Sequence, residues 1–159
     1  MHDLEALRAA CEYATRYSDD PNTKNGAVLV TATDRVYAAN TLPHGVHRDV
    51  ARLEPPTKYR FIEHAERGVI YKAASRGVAT AGRRLYCPWY ACTDCARAII
   101  CAGIVEVVGI ASLRAATPDR WEGEILLAEQ MLREAGVGMR WITEPIGAVV
   151  RFDGKDVCV

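Results

Sequence analysis

The chain has 159 residues, half of them hydrophobic, with 20 basic residues balancing 20 acidic ones. That length suits one compact domain that folds without disulfides. The balanced charge excludes a whole-surface field for gripping nucleic acid and favours a small-molecule substrate.

Leu4, Leu7, Cys11, Ala14 and Tyr17 recur at helical spacing, which predicts an amphipathic helix over 3–17 with Asp3 as its cap. The scattered charges of this N-terminus fit neither a signal peptide nor an anchor, and no stretch approaches the roughly 18 apolar residues of a membrane span. With six cysteines and no secretory leader, the expected compartment is the reducing cytoplasm. After the turn formers "SDDPNTKNG", the stretch "GAVLVTATDRVYAAN" reads as a β-hairpin. Residues 40–60, with three prolines, read as a long loop of the kind that often carries function.

A helix is expected from Glu63 to Arg76, stopped by Gly77. "RRLYC" and "GIVEVVGI" read as buried strands flanking a second helix from about Cys92 to Gly103. Thr117 and Pro118 open a further helix ending at Gly136, before the strand-like "VGMRWI". "GAVVRFDGKDVCV" closes as a hairpin turning at Asp153 and Gly154. The expected class is α/β, a mixed β-sheet with helices on both faces, in one domain over residues 1–159.

The chemistry concentrates in two short stretches. In "PWYACTDCARAII" Cys92 and Cys95 stand three apart at a helix start. Alone, such a pair can be a redox motif, half of a metal clasp or two buried thiols. A redox pair would follow the first strand of its βαβ unit, whereas this one follows the third predicted strand. Upstream, "EHAER" sets His64 and Glu66 two positions apart. One imidazole and two thiolates suit three of the four tetrahedral positions of Zn²⁺, with the fourth left for water as in catalytic zinc sites. Glu66, not itself a ligand, is then placed to ferry protons.

The combination of His-Ala-Glu with a downstream Cys-x-x-Cys resembles the zinc-dependent cytidine and deoxycytidylate deaminases. "DPNTKNGAVLV", "LEPPTKY", "HAER" and "RLYCPWYACTDCARAIICAGIVEVV" are similar, in the same order, to segments of the deoxycytidylate branch. The resemblance implies a cytidine deaminase-like three-layer fold and hydrolytic deamination of dCMP to dUMP, with alternatives in cytidine, 5-substituted dCMP, tRNA adenosine, or a non-catalytic zinc module. It implies one Zn²⁺ on His64, Cys92 and Cys95, with Glu66 as proton shuttle. It further implies the Ala65 N–H at the pyrimidine edge and Asn40 at the sugar.

Lys24 is the expected phosphate contact, and Trp89 with Tyr90 the expected wall of the base pocket. Mg²⁺ enters only if an allosteric triphosphate binds. The implied partners are a free nucleotide and further copies of the chain, with no membrane or nucleic acid. Three positions depart from the family pattern: Ala91 for proline before Cys92, Gly68 for asparagine, and Thr41 for glycine after Asn40. Cys11, Cys87, Cys101 and Cys158 are expected as buried free thiols; His44 and His47 are weak candidates for a second metal site.

Overall fold

A computed structural model describes residues 2–159. Helix α1 (Asp3–Tyr17) leads into the antiparallel strands β1 (Gly26–Val30) and β2 (Arg35–Ala39). The long connection that follows holds a 3₁₀ turn (Val50–Arg52) and a short helix α2 (Lys58–Phe61). It is therefore less irregular than its prolines suggest. Helix α3 (Ala65–Ser75), strand β3 (Arg84–Tyr86), helix α4 (Thr93–Cys101) and strand β4 (Glu106–Ile110) come next. Then follow α5 (Ala111–Ala115), α6 (Asp119–Glu134), β5 (Gly138–Ile142) and the hairpin β6 (Val149–Phe152) and β7 (Lys155–Cys158).

The five-stranded sheet runs β2-β1-β3-β4-β5, with β1 antiparallel to β2 and β3, and β3, β4 and β5 mutually parallel. Its faces follow from the alternation of side chains along a strand. Ala27 and Leu29 of β1, Leu85 of β3 and Val107 of β4 meet Val69 of α3, Ile99 of α4 and Leu132 of α6. On the opposite face Val28, Tyr86 and Val108 meet Leu7 and Ala10 of α1, with Val150 and Phe152 of the closing hairpin beside them. The mixed sheet with helices on both faces is thus the observed architecture. Gly26 is what lets α1 lie so close, because a Cβ there would stand 2.2 Å from the Ala10 carbonyl oxygen.

The hairpin turns where expected, with positive φ at Asp153 (47°) and Gly154 (77°). Other expectations are corrected. Asp3 does not cap α1; His2 holds that position without a side-chain bond, and Asp3 accepts instead from Tyr86 and Arg140. Helix α3 begins two residues late because Glu63 pairs in extended form with Thr41, so His64 becomes the N-cap. Helix α5 was not expected; five residues give too short a period to read. Cys101 and Cys158 are exposed, and only Cys11 and Cys87 of the four extra thiols are buried. His44 and His47 are exposed and join no metal-ligand cluster among the described residues.

Candidate active site

Two helix N-termini meet at one point. His64 is the N-cap of α3, Cys92 is the N-cap of α4, and Cys95 lies in the first turn of α4. Orphan N–H groups and the positive dipole end of α4 favour thiolates there. The Sγ atoms of Cys92 and Cys95 stand 3.5 and 3.6 Å from His64 Nδ1. The three ligand atoms all lie within 4.8 Å of one another. Tetrahedral zinc with bonds of about 2.3 Å to sulfur and about 2.05 Å to nitrogen requires a sulfur-to-nitrogen spacing of roughly 3.5 Å. The donor set and its spacing therefore fit that ion.

Glu66, in the first turn of α3, is 2% exposed, and its Oε2 has no hydrogen-bond partner among the described residues. A buried carboxylate oxygen left unpaired is costly unless a ligand or reaction uses it. Burial pushes this carboxyl up to about 7 against the opposing charge of His64. The Cys92 thiol is brought down to about 3, chiefly by the hydrogen bond from Cys95 and, against burial, by His64. Cys95 moves well upward, being the donor to Cys92 and buried. Arg67 fastens the two helix starts together, its Nε 2.5 Å from Glu63 Oε1 and its NH1 3.4 Å from Asp94 Oδ2.

His64, Glu66 and Cys92 open onto a cleft enclosing about 770 Å³ with its open mouth included. Asn25, Asn40, Trp89 and Tyr90 line it together with His64, Glu66 and Cys92. Trp89 is held edge-on to Phe152 with ring centroids 5.1 Å apart, and its Nε1 donates to Thr117 at 3.0 Å. Tyr90 stacks on Trp141 at 4.1 Å and is 1% exposed.

Two expected contacts are placed differently. The Ala65 N–H is already donated to Asn40 Oδ1 at 3.0 Å, so Asn40 caps α3 from a neighbouring strand end and the N–H does not stand free for a base. Lys24 is not among the lining residues; its Nζ donates to the Thr15 carbonyl in the last turn of α1. The cations that do line the cleft are Lys58 and Arg120. Lys58 is 5% exposed and bound to buried Asp20 at 2.8 and 3.1 Å. Arg120, at the start of α6, pairs with Asp153 of the hairpin turn beside the T-shaped pair of Tyr59 and Trp121. Sequence reasoning missed Asp20, Lys58 and Arg120. The first two lie in "DPNTKNG" and "LEPPTKY", which carried the resemblance without an assigned role.

The departures from the family pattern are accommodated locally. Gly68 lets α3 approach β2, where an added Cβ would meet that of Ala38 at 3.3 Å. Thr41 sits in the bridge to Glu63 and does not have positive φ.

The family model for the cytidine and deoxycytidylate deaminase zinc-binding region matches residues 1–111. Human deoxycytidylate deaminase is 32% identical over 112 residues, covering 65% of this chain and 62% of the human one. The match thus spans about three fifths of that relative's length. An uncharacterized deaminase from the luxG 3′ region of Aliivibrio fischeri is 32% identical over 136 residues, covering 82% of this chain and 87% of its own. Among solved structures, the dCMP deaminase of cyanophage S-TIM5 in complex with dCMP and dUMP aligns with a TM-score of 0.67 at 24% identity, over 87% of this chain and 95% of that one. With helix-borne histidine and cysteines in that region and the same fold around them, the chain belongs to the cytidine and deoxycytidylate deaminase family.

Proposed function

We propose that residues 1–159 form one catalytic domain that hydrolyses dCMP to dUMP and ammonia with one zinc ion on His64, Cys92 and Cys95. The observation that carries this reading is the buried Oε2 of Glu66, without a partner among the described residues, in a cleft that His64 and Cys92 of the three-ligand cluster also line. A structural zinc clasp has no use for such a group. What a zinc ion supplies there is a water acidified toward neutral pH. Glu66 would take one proton from the attacking water and hand it to N3 of the cytosine ring as the water oxygen bonds to C4. It would then take the remaining hydroxyl proton and pass it to the C4 amino group, which leaves as ammonia as the C4 carbonyl forms. Tyr90 and Trp89 close the cleft wall and exclude bulk water, so the carboxylate acts in a weakly screened setting. The same reading carries with it a cytoplasmic homo-oligomer acting on a free nucleotide. No described helix is long and apolar enough to cross a membrane.

The preference for a 5′-monophosphate is assigned to Arg120 rather than Lys24. Lys58 is buried against Asp20, whereas Arg120 reaches the cleft with its side chain 56% exposed. A guanidinium presents a fork suited to phosphate oxygens. Ammonia release measured across cytidine, deoxycytidine and their mono- and triphosphates tests the substrate directly. dCMP is expected to give the highest kcat/KM, and no release from any cytosine nucleotide would remove the reading. Arg120→Ala is expected to shrink the dCMP-to-deoxycytidine ratio on the order of tenfold, the size of one partly screened charged contact. Equal slowing of both substrates would take the phosphate away from Arg120.

A further inference from the structure

We propose that Asn25 is a positioning residue for the metal site, fixing the turn that delivers Cys92. Asn25 and Asn40 flank the open end of the β1–β2 hairpin, where the Asn40 N–H donates to the Asn25 carbonyl at 3.0 Å. Each asparagine braces a different ligand-bearing segment. Asn40 Oδ1 takes the N–H of Ala65, the residue after His64, and Thr41 and Glu63 exchange backbone bonds of 3.1 and 2.8 Å just before it. Asn25 addresses the other segment. Its Nδ2 donates to the Trp89 carbonyl at 2.7 Å and contacts Cys87 Sγ at 3.2 Å, while its Oδ1 accepts the Trp89 N–H at 3.4 Å. Trp89 lies three residues before Cys92.

The hairpin end therefore acts as a jig that sets the distance between the histidine and the cysteines. A buried side-chain amide that satisfies both main-chain groups of one residue fixes the two peptides flanking that residue in position and orientation, not merely in depth. Asn25 is 6% exposed, so its bonds are weakly screened by water. An apolar residue here would leave the Trp89 carbonyl and N–H without the side-chain partner that Asn25 gives them. The main chain from Cys87 to Trp89 would then keep the Cys87 N–H on Val108 and the Pro88 carbonyl on Ile110, with the Trp89 and Tyr90 side chains anchoring the segment through Thr117, Phe152 and Trp141. Groups that orient metal ligands from outside typically contribute 10–100-fold to metal affinity.

This inference rests on the zinc reading but not on the substrate. The experiment is chelator competition for zinc in wild type, Asn25→Ala, Asn25→Ser and Thr117→Val, with the absorption spectrum of the cobalt(II) form of each. Asn25→Ala is expected to weaken zinc about 10–100-fold and shift the cobalt bands. Asn25→Ser retains a hydroxyl for the cleft-side turn and should lie between it and wild type. It also supplies the measurement if the alanine variant does not fold. Thr117→Val frees the indole ring while leaving the Trp89 main chain clamped, and should keep wild-type zinc affinity and spectrum. Wild-type zinc affinity in both Asn25 variants would overturn the proposal, as would an equal loss in Thr117→Val. A wild-type protein that binds no zinc would instead overturn the zinc reading itself.

Discussion

Glu66→Gln is expected to lower kcat toward dCMP by about 10²–10⁴-fold, the usual contribution of a positioned acid–base group, while zinc content stays at one ion per chain. The amide matches the carboxylate in size, so the cleft keeps its shape, but it can no longer take up and release a proton. Glu66 is not one of the three clustered ligand atoms, which is why metal should remain. Stability should not fall either. The carboxylate is 2% exposed with one oxygen unpartnered, and replacing a buried, incompletely paired charge by a neutral group relieves desolvation. The expected combination is therefore specific: near-silent turnover, retained zinc and an unfolding midpoint equal to or above wild type. Turnover within a fewfold of wild type would place proton transfer on another group. Loss of zinc in this variant, as opposed to Cys92→Ser, would make Glu66 a ligand.

The sequence made the metal cluster and Glu66 legible because they depend on short spacings at helix starts. Two residues between cysteines, and one between histidine and glutamate, fix which side chains share a terminus whatever the rest of the chain does. The cleft wall was harder to read, since Asp20, Lys58 and Arg120 come from three segments whose meeting is decided by tertiary packing. Lys24 shows how small the margin is. In the extended chain entering β1, neighbouring side chains point to opposite sides. Asn25 faces the cleft, and Lys24 turns to the end of α1.

The Ala65 N–H illustrates a different limit. The first turn of a helix leaves its N–H groups without intrahelical partners, and the sequence does not say whether a ligand or a side chain from another strand will take them. Here Asn40 takes that N–H. The exposed Cys101 and Cys158 were misjudged because an apolar neighbourhood in sequence says little about burial at the last turn of a helix or at the end of a closing hairpin strand.

Lys58→Met is expected to destabilise the folded protein by about 3–5 kcal/mol, the cost of breaking a buried ion pair from one side. Lys58 and Asp20 are 5% and 7% exposed, with Nζ 2.8 and 3.1 Å from the two carboxylate oxygens. Methionine fills the space of the lysine stem, so the penalty comes from the carboxylate left behind and not from a cavity. Asp20 Oδ1 also accepts the N–H groups of Asn22 and Thr23 at 2.8 and 3.1 Å. Those bonds partly hold the charge and should bring the loss toward the lower end. They also make the second variant informative. Asn at position 20 retains an oxygen for both N–H groups while removing the charge, so Asp20→Asn combined with Lys58→Met should recover most of the lost stability. Urea unfolding at saturating zinc measures both, because metal released on unfolding would otherwise enter the comparison. A single variant within about 1 kcal/mol of wild type, the range of an exposed pair, would show that water reaches the pair and screens it. The same pair ties the segment before β1 to α2, and Tyr59 stands next to Lys58 at the cleft mouth. In the double variant, KM for dCMP should therefore stay raised even as stability returns, since neutral side chains restore the packing but not the tether between the two walls.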